Sequence, residues 1–438
     1  MYTSIFNKVI LPISEKLSGI HLNRYLDELK NQTHLNTEEL VDLQKDKLSK
    51  LLLLALNSSP YYKDLKIDLT NDALRDLKKF PILTKSDIRN KALEMLTQPM
   101  SLLIKNGSSG STGEQTHVYW SKEEQTINRA TQLLWWHWAG YQFGNSILQT
   151  GINPHRPGIK KFKDIIFRTK YIQAFSHNEQ EILTLLKGLQ KRKLYFLAGY
   201  ASSLFVLSQI SIKYGLKVNM KSAIAWGDKL FPHYKKHITE AFNCKVYETY
   251  GSAEGLMMAA QKDLEFMYIM SPNVYIEILD DFGNEVPDGQ MGNVIVTNLN
   301  GYAMPLIRYK VGDLAIKLPK EEYPELRELN LPILKKVIGR DTDIVKTKSG
   351  NYLVVHSFTG IFEHIPEIKQ FCVIQRNLDG IVIQYIKGEN FQDAVIEKIQ
   401  TAILDSINEP FEIAFEAVDE IPNSPSGKPQ LIISFIKN

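Results

Sequence analysis

Cysteine is scarce in this chain of 438 residues, which contains only Cys244 and Cys372. The two are far apart in the sequence, and neither belongs to a metal-ligand spacing. The sequence therefore predicts neither a structural disulfide nor a zinc site. Such low cysteine usage is typical of a reducing compartment, and we accordingly expect a cytoplasmic protein.

Long hydrophobic runs are also missing. The longest apolar segment, residues 51–56, is far below the roughly 20 residues that cross a bilayer. The apolar stretch at residues 5–13 is interrupted by Lys8, and no small-residue cleavage site follows it. We therefore predict neither a signal peptide nor a transmembrane segment.

Neither sign of charge dominates, because 52 Lys and Arg residues stand against 49 Asp and Glu residues, for a net charge of +3. This balance gives no electrostatic reason to expect a nucleic-acid partner, while it is compatible with anionic small substrates. A hydrophobic content of 44% and a charged content of 23% are typical of a soluble globular protein. The length predicts two or three domains, and nothing in the sequence indicates an oligomeric state.

The segment from Asn106 to Thr116 is rich in glycines and hydroxyl side chains. Glycine permits positive φ and close approach of the backbone to a ligand, and hydroxyls can donate to phosphate oxygens. The spacing matches neither a Walker loop nor a dinucleotide-binding turn. A phosphate-binding loop and a flexible linker are therefore both open from composition alone. The glycines and hydroxyl residues are Gly107, Ser108, Ser109, Gly110, Ser111, Thr112, Gly113 and Thr116.

Apolar periodicity predicts the secondary structure around this loop. Asn36 with Glu39 predicts a capped helix that ends at Ser58, and Thr84 begins another. Residues 117–120 predict a strand, so the loop is expected to join a hairpin. A helix over residues 123–140 carries Trp135, Trp136, His137 and Trp138. Because adjacent positions on a helix lie ~100° apart, these tryptophans cannot share one face, and at least one should line a pocket or meet a neighbouring element.

The middle of the chain alternates short strands with helices, a pattern that predicts a parallel sheet covered by helices. Ligands of such sheets bind beyond the carboxyl ends of the strands, where the segments Trp226–Asp228 and Tyr250–Glu254 fall. Hairpin patterns follow from Val274 and predict a β-rich subdomain. The expected strands cover residues 147–150, 194–198, 222–226, 275–279, 292–299 and 306–317, and the helices cover 179–189, 202–214 and 231–242.

A domain boundary is predicted at Gly339–Arg340. The preceding residues, 1–338, form the expected large domain, with a helical region over about residues 1–100. Residues 339–438 predict a compact α+β module that is long enough to fold by itself.

Five segments in order resemble those of the adenylate-forming ligases, with the closest similarity to the phenylacetate-CoA ligase family and its relatives in capsular polysaccharide clusters. The resemblance runs from about Asn57 to the C-terminus. It implies an α/β fold with a large N-terminal domain of mixed and parallel sheets, a β-rich subdomain, and a small mobile α+β C-terminal domain. The segments are the glycine loop, Tyr250–Glu254, Arg308–Asp313, Gly339–Arg340 and Pro422–Lys428.

The resemblance implies a role for each segment in binding ATP and Mg²⁺. The loop residues Ser108, Ser109, Gly110, Ser111, Thr112 and Gly113 would hold the β- and γ-phosphates. Glu254 would hold Mg²⁺, since a hard cation prefers carboxylate oxygen. The adenine would stack on Tyr250, and Asp313 would accept from the ribose hydroxyls. We also expect nucleotide contacts from Gly251, and from Gly227 and Asp228 because they follow a predicted strand.

Two cations complete the implied site. Arg340 would reach a phosphate through its forked donors, and Lys428 would bridge the α-phosphate and the attacking carboxylate. With Glu254 they are the expected catalytic residues. Arg308 matches the position that precedes the ribose-binding motif, and a surface or salt-bridge role is equally open for it. The chain departs from the family pattern at the pivot position, which is Thr342 here, and at Ala253, where a hydroxyl residue is usual.

The implied reaction joins a small-molecule carboxylate to ATP, forms acyl-AMP with release of pyrophosphate, and passes the acyl group to a thiol or amine acceptor. The phenylacetate-CoA ligase resemblance favours CoA as the acceptor. Its polysaccharide-associated relatives suggest an amine on a sugar instead. A non-catalytic nucleotide-binding protein is the alternative from another class.

Overall fold

The structure is a computed structural model of the whole chain. It describes residues 2–108, 116–151, 158–174, 179–190, 195–340, 344–348, 352–362, 365, 367–407, 410–422 and 430–436. The predicted loop residues Ser109–Gly113, the residue at the predicted pivot position, Thr342, and the predicted catalytic residue Lys428 lie outside the described residues.

Helices cover the N-terminal region and both faces of the main sheet. A π-helical turn, Phe6–Ile10, joins the first two helices. The helices are α1 (Tyr2–Ile5), α2 (Leu11–Ser18), α3 (Leu22–Thr33), α4 (Thr37–Ser58), α5 (Pro60–Lys63), α6 (Ala73–Leu77), α7 (Lys85–Lys91), α8 (Lys122–Trp138), α9 (Gly158–Ile166), α10 (Glu179–Gln190), α11 (Ala201–Lys213), α12 (Pro232–Phe242), α13 (Val355–Phe362) and α14 (Ala394–Ile407). Among the described helices, none has both the length and the apolarity to cross a bilayer.

Local capping explains where several helices begin. The Asn36 side chain accepts from the Glu39 amide at 3.0 Å, and Glu39 accepts in return from the Asn36 amide at 2.9 Å. Thr84 caps α7 in the same reciprocal way. Each such cap contributes about 1 kcal/mol by satisfying amides that have no partner within the helix. These local signals are sufficient to predict both helix starts.

One sheet of eleven strands organises the large part of the molecule. Its order is β10-β11-β12-β13-β9-β8-β7-β6-β5-β3-β4. The strands are β3 (Ile147–Gly151), β4 (Thr169–Gln173), β5 (Tyr195–Tyr200), β6 (Met220–Trp226), β7 (Lys245–Gly251), β8 (Met257–Gln261), β9 (Met267–Ile269), β10 (Val274–Leu279), β11 (Met291–Asn298), β12 (Tyr309–Lys317) and β13 (Ile333–Arg340).

Strand pairing in the sheet changes from parallel to antiparallel at β7. This strand pairs with β6 in parallel and with β8 in antiparallel orientation. The predicted β-rich segment is therefore continuous with the parallel half, and the two halves form one mixed sheet. The glycine loop joins a separate hairpin of β1 (Ile104–Ser108) and β2 (Thr116–Trp120), as the sequence predicted.

The C-terminal region forms a second, smaller unit of α+β structure. A four-stranded sheet in the order β18-β17-β16-β19 packs with α13 and α14 around Phe358, Val373 and Ile399. The strands of this sheet are β16 (Ile368–Gln375), β17 (Gly380–Lys387), β18 (Glu412–Ala417) and β19 (Ile432–Ser434). A separate antiparallel pair is formed by β14 (Ile344–Lys346) and β15 (Tyr352–Val354). Phe231, from the turn before α12, belongs to the same core cluster. The expected α/β fold with a small C-terminal unit is thus confirmed, while residue 339 as the domain boundary stays a prediction.

Candidate active site

The predicted adenine and ribose residues meet beyond the end of β7. Tyr250 lies at the carboxyl end of this strand, and Asp313 lies on β12. The Tyr250 hydroxyl donates to Asp313 Oδ2 at 2.7 Å, although the residues are 63 positions apart. Tyr250 is only 9% exposed, so its ring is held firmly in the sheet. The structure thus brings together an aromatic face and a carboxylate that can accept from sugar hydroxyls.

Glu254 lies in the turn between β7 and β8, and its side chain is buried, with 5% exposure. The Tyr309 hydroxyl lies 3.4 Å from Glu254 Oε1, a long hydrogen bond that leaves the carboxylate with acceptor capacity. Within the described ranges, no group of three His, Cys, Asp or Glu side chains is placed to hold a metal. A single carboxylate with free acceptor capacity, such as Glu254, suits Mg²⁺ that is otherwise held by phosphate and water oxygens, and Glu254 as its ligand stays a prediction.

The hairpin that carries the glycine loop is fastened to the same turn. Asn106 Nδ2 donates to the Ala253 carbonyl at 2.9 Å. Two hydroxyls nearby, Thr116 Oγ1 and Ser252 Oγ, are buried and have no hydrogen-bond partner among the described residues. A buried hydroxyl without a partner is costly, and a phosphate oxygen would satisfy it. Ser252 was not predicted individually, although its position two residues before Glu254 would have been sufficient to single it out.

The turn after β6 is shaped by Gly227 and Asp228. Gly227 has φ +78°, and a β-carbon there would lie 2.4 Å from the Tyr200 ring, so only glycine fits. Asp228 accepts from the amides of Ala201 at 2.5 Å and Ser202 at 3.1 Å. Both of its oxygens thus satisfy the N-terminus of α11 and hold the turn in place. Nucleotide contact by these two residues and by Gly251 stays a prediction.

Arg308 is a buried structural residue, which excludes the surface role that the sequence left open. Its Nε and Nη2 donate to the two carboxylate oxygens of Glu277 at 3.1 and 3.0 Å. A further donor, Nη1, reaches the Phe80 carbonyl at 3.1 Å. The bidentate pair therefore ties β10 and the N-terminal region to the start of β12, directly before Tyr309 and Asp313.

Arg340 ends β13 and is paired in register with Asp313 of β12. The sheet thus places the backbone of the predicted phosphate-binding arginine beside the predicted ribose-binding aspartate. One residue earlier, Gly339 has φ +136°, a region open to glycine. The Lys229 ammonium donates to the Ile338 carbonyl and so connects the turn after β6 to this strand.

Glu248 on β7 is a partly buried carboxyl group near Lys229. Burial raises the pKa of Glu248, on β7, from 4.5 to about 7, while the charges of Lys229 and Lys235 oppose the shift. Between pH 4.5 and 7 the folded protein holds a proton that the unfolded chain has released. This group therefore stabilises the fold at low pH, and its contribution is lost as the pH rises to about 7.

We expect Glu248→Gln to remove this pH dependence, because glutamine imitates the protonated carboxyl. In wild type, Glu248 should lower the free energy of unfolding by on the order of 2 kcal/mol between about pH 5 and about pH 7.5. Urea unfolding at both pH values measures the change. Glu240→Gln, on the exposed end of α12, is the matched control and should leave the difference between the two pH values intact. If the free energy of unfolding changes equally between the two pH values in Glu248→Gln and in wild type, the raised pKa of Glu248 is contradicted.

Known proteins resemble this chain along nearly its whole length. The CapK C-terminal domain family model matches residues 345–435. Protein CapK of Staphylococcus aureus is 23% identical, and the alignment covers 99% of this chain and 98% of that protein. Phenylacetate-coenzyme A ligase of Pseudomonas putida is 25% identical over 69% of this chain and 68% of its own. The predicted resemblance to the adenylate-forming ligases is thus confirmed.

A solved CoA ligase shares the fold, and its structure is known in more than one conformational state. In its postadenylation state, 2-hydroxyisobutyryl-CoA ligase with R3-HIB-AMP superposes with a TM-score of 0.72 at 18% identity, covering 92% of this chain and 91% of that one. For the same ligase with 2-HIB-AMP and CoA in the thioesterification state, over the same shares of each chain, the TM-score is 0.59. The whole-chain superposition is thus better with the first structure.

The tryptophans of α8 take different positions. Trp135 is buried, and Trp136 stacks on Trp226 with ring centroids 5.9 Å apart. Trp138 lines a cavity of about 550 Å³, together with His137. The cavity also contacts Lys245, at the start of β7, and therefore lies at the opposite end of that strand from Tyr250. Burial lowers the pKa of His137 to about 4, which fits a structural histidine.

Proposed function

We propose that this protein is an AMP-forming carboxylate ligase that uses Mg²⁺-ATP to make acyl-AMP and pyrophosphate, and then transfers the acyl group to CoA. The observation that carries the proposal is the convergence of Tyr250, Asp313 and Glu254 at the end of β7, beside the hairpin of the glycine loop. An aromatic face, a ribose acceptor and a buried carboxylate are the groups that a nucleotide with its magnesium requires. The ligase relatives support the same reaction class.

Each residue has a stated part in this reaction. Tyr250 and Asp313 would bind the adenosine, and the loop with Thr116 and Ser252 would donate to the phosphates. Glu254 would hold Mg²⁺, which when bound would neutralise phosphate charge and supply Lewis acidity. Arg340 and Lys428 would stabilise the negative charge that develops as the carboxylate attacks. The carboxylate substrate attacks, the α–β phosphoanhydride bond breaks, and pyrophosphate leaves.

We also propose that the small C-terminal unit rotates between the two half-reactions. Lys428 is needed only during adenylation, whereas the acceptor must later reach the acyl-AMP. The two TM-scores against one ligase support this idea, because a change in the position of one unit is sufficient to lower a whole-chain superposition. Such rotation is a hinge closure of the usual domain type.

Pyrophosphate release from the full-length protein tests the reaction. Mg²⁺-ATP would be combined with a panel of aliphatic, hydroxy and aromatic carboxylates, and then with CoA or an amino sugar as acceptor. Release that depends on one class of carboxylate supports the proposal, and thioester formation identifies CoA as acceptor. ATP binding with no release across the panel would instead support a non-catalytic nucleotide-binding protein.

The affinity for Mg²⁺-ATP should depend on Asp313. Hydrogen bonds to a charged acceptor contribute about 1.5–3 kcal/mol, so Asp313→Ala should weaken binding by about tenfold to a hundredfold in calorimetry. Lys428→Ala should weaken it less. Tyr250→Phe is the matched control, since it removes the same Tyr250–Asp313 hydrogen bond but keeps the ring and the carboxylate. A loss in Tyr250→Phe as large as that in Asp313→Ala would show that the bond, and not the ribose contact, is responsible.

A further inference from the structure

Large apolar side chains are exposed along the first helical stretch. Val9, Ile13 and Leu17 follow one another at spacings of four residues and are 48%, 55% and 83% exposed. On α9, Phe162 and Ile165 are 63% and 74% exposed at a spacing of three. Residues at such spacings share a helix face. Soluble monomers rarely expose apolar patches of this kind unless the patch binds something. We call these five residues the N-terminal apolar surface.

The two parts of this surface belong to neighbouring elements. The Tyr2 hydroxyl donates to the Ile166 carbonyl at 2.7 Å, and the rings of Phe6 and Phe167 lie 5.0 Å apart. Phe6 is almost fully buried in this contact, with 1% exposure. The helical stretch and α9 are therefore packed together through these residues while the five apolar side chains remain in solvent.

Exposed positive charge lies in the same segments as the N-terminal apolar surface. The acidic side chains in the same two elements are less available than the cations, because Glu15 and Asp164 are only partly exposed. Glu15 accepts from the Asn23 amide at 2.6 Å and from its side chain at 3.0 Å. Alternating exposed apolar and basic residues on a helix are typical of segments that lie on a membrane surface. The exposed cations of these elements and of the adjoining β4 are Lys8, Lys16, Lys161, Lys163, Arg168 and Lys170.

We propose that the N-terminal apolar surface binds the surface of a bilayer rich in anionic phospholipids. The apolar side chains would enter the boundary between head groups and acyl chains, while the flanking lysines meet the lipid phosphates. A second copy of this chain fits less well. A two-fold symmetric contact places the same patch on both sides and would bring the two sets of cations together.

Co-sedimentation of the full-length protein with vesicles tests the proposal. Vesicles of phosphatidylglycerol and phosphatidylcholine in equal parts should bind the protein, and pure phosphatidylcholine should bind it about tenfold less. Added salt should weaken the binding to the anionic vesicles, because the attraction is partly electrostatic. The double variant Ile13→Ser/Leu17→Ser should reduce binding at least tenfold, and so should Lys161→Glu/Lys163→Glu.

The matched control is Phe282→Ser/Leu326→Ser, which removes two apolar side chains that are each 91% exposed elsewhere on the molecule. This variant should bind vesicles like wild type. All variants should keep the wild-type melting temperature, since every replaced side chain is exposed. Equal binding by wild type and Ile13→Ser/Leu17→Ser, or no binding to anionic vesicles, would overturn the proposal. A solution dimer that this double variant dissociates would overturn it too, because a second copy would then cover the surface.

Discussion

Arg308→Ala should lower the free energy of unfolding by about 3–5 kcal/mol. The substitution leaves Glu277, whose side chain is 3% exposed, as a buried charge without its bidentate partner. It also releases the Phe80 carbonyl from its donor. Since whole domains are stable by only about 5–15 kcal/mol, a loss of this size removes a large share of the total. Urea unfolding followed by tryptophan fluorescence measures it.

Two controls test whether the loss of stability comes from leaving Glu277 as an unpaired buried charge. Lys50→Ala removes a partner from the exposed Lys50–Asp46 pair, whose side chains are 65% and 55% exposed, and should leave the free energy of unfolding close to that of wild type. Arg308→Met/Glu277→Leu removes both charges of the buried pair and should recover most of the loss. If the free energy of unfolding of Arg308→Ala is within about 1 kcal/mol of that of wild type, the buried pair does not stabilise the fold as predicted.

Lys428→Ala should slow acyl-AMP formation by about 10²–10³-fold and leave acyl transfer from supplied acyl-AMP nearly unchanged. A positioned cation in a site with little water contributes ~3 kcal/mol or more to the transition state that it contacts. According to the resemblance, that contact exists only while the carboxylate attacks the α-phosphate. The lysine should therefore lower one barrier and not the other.

Separate assays of the two half-reactions measure this difference. Pyrophosphate exchange reports adenylation, and thioester formation from added acyl-AMP reports transfer. Lys437→Ala, nearer the C-terminus, is a control for the loss of a lysine from the same terminal segment and should affect neither assay. Equal losses in both half-reactions would make Lys428 a structural residue, and unchanged adenylation would remove it from the site.

Local signals predict much of the fold. The capping residues Asn36 and Thr84 and the alternation of strands and helices depend on neighbours in sequence, so they can be read directly. Strand β4 is missed because Thr169–Gln173 carries polar residues at a sheet edge and lacks an apolar run. Strand β19 is missed because it has only three residues and pairs in parallel with β16, far away in the chain.

The site is less predictable from the residues alone. The resemblance indicates Tyr250 and Asp313, but their hydrogen bond joins residues 63 positions apart, which no spacing rule reveals. The same limit applies to Arg308, whose partner Glu277 lies 31 positions away, so burial and surface exposure could not be told apart. The roles of Lys428, Arg340 and the loop residues stay predictions.

The position of strand β7 determines which parts of the sheet nucleotide binding would stabilise. It is hydrogen-bonded to the parallel half on one edge and to the antiparallel half on the other, and Tyr250 lies at its end. A nucleotide bound at Tyr250, as we propose, would favour the state in which both halves are closed around the strand, so its binding free energy would oppose the opening of either one. Amide hydrogen exchange should therefore slow on β6 and β8 together when ATP binds, which makes the two halves one cooperative unit in the bound protein.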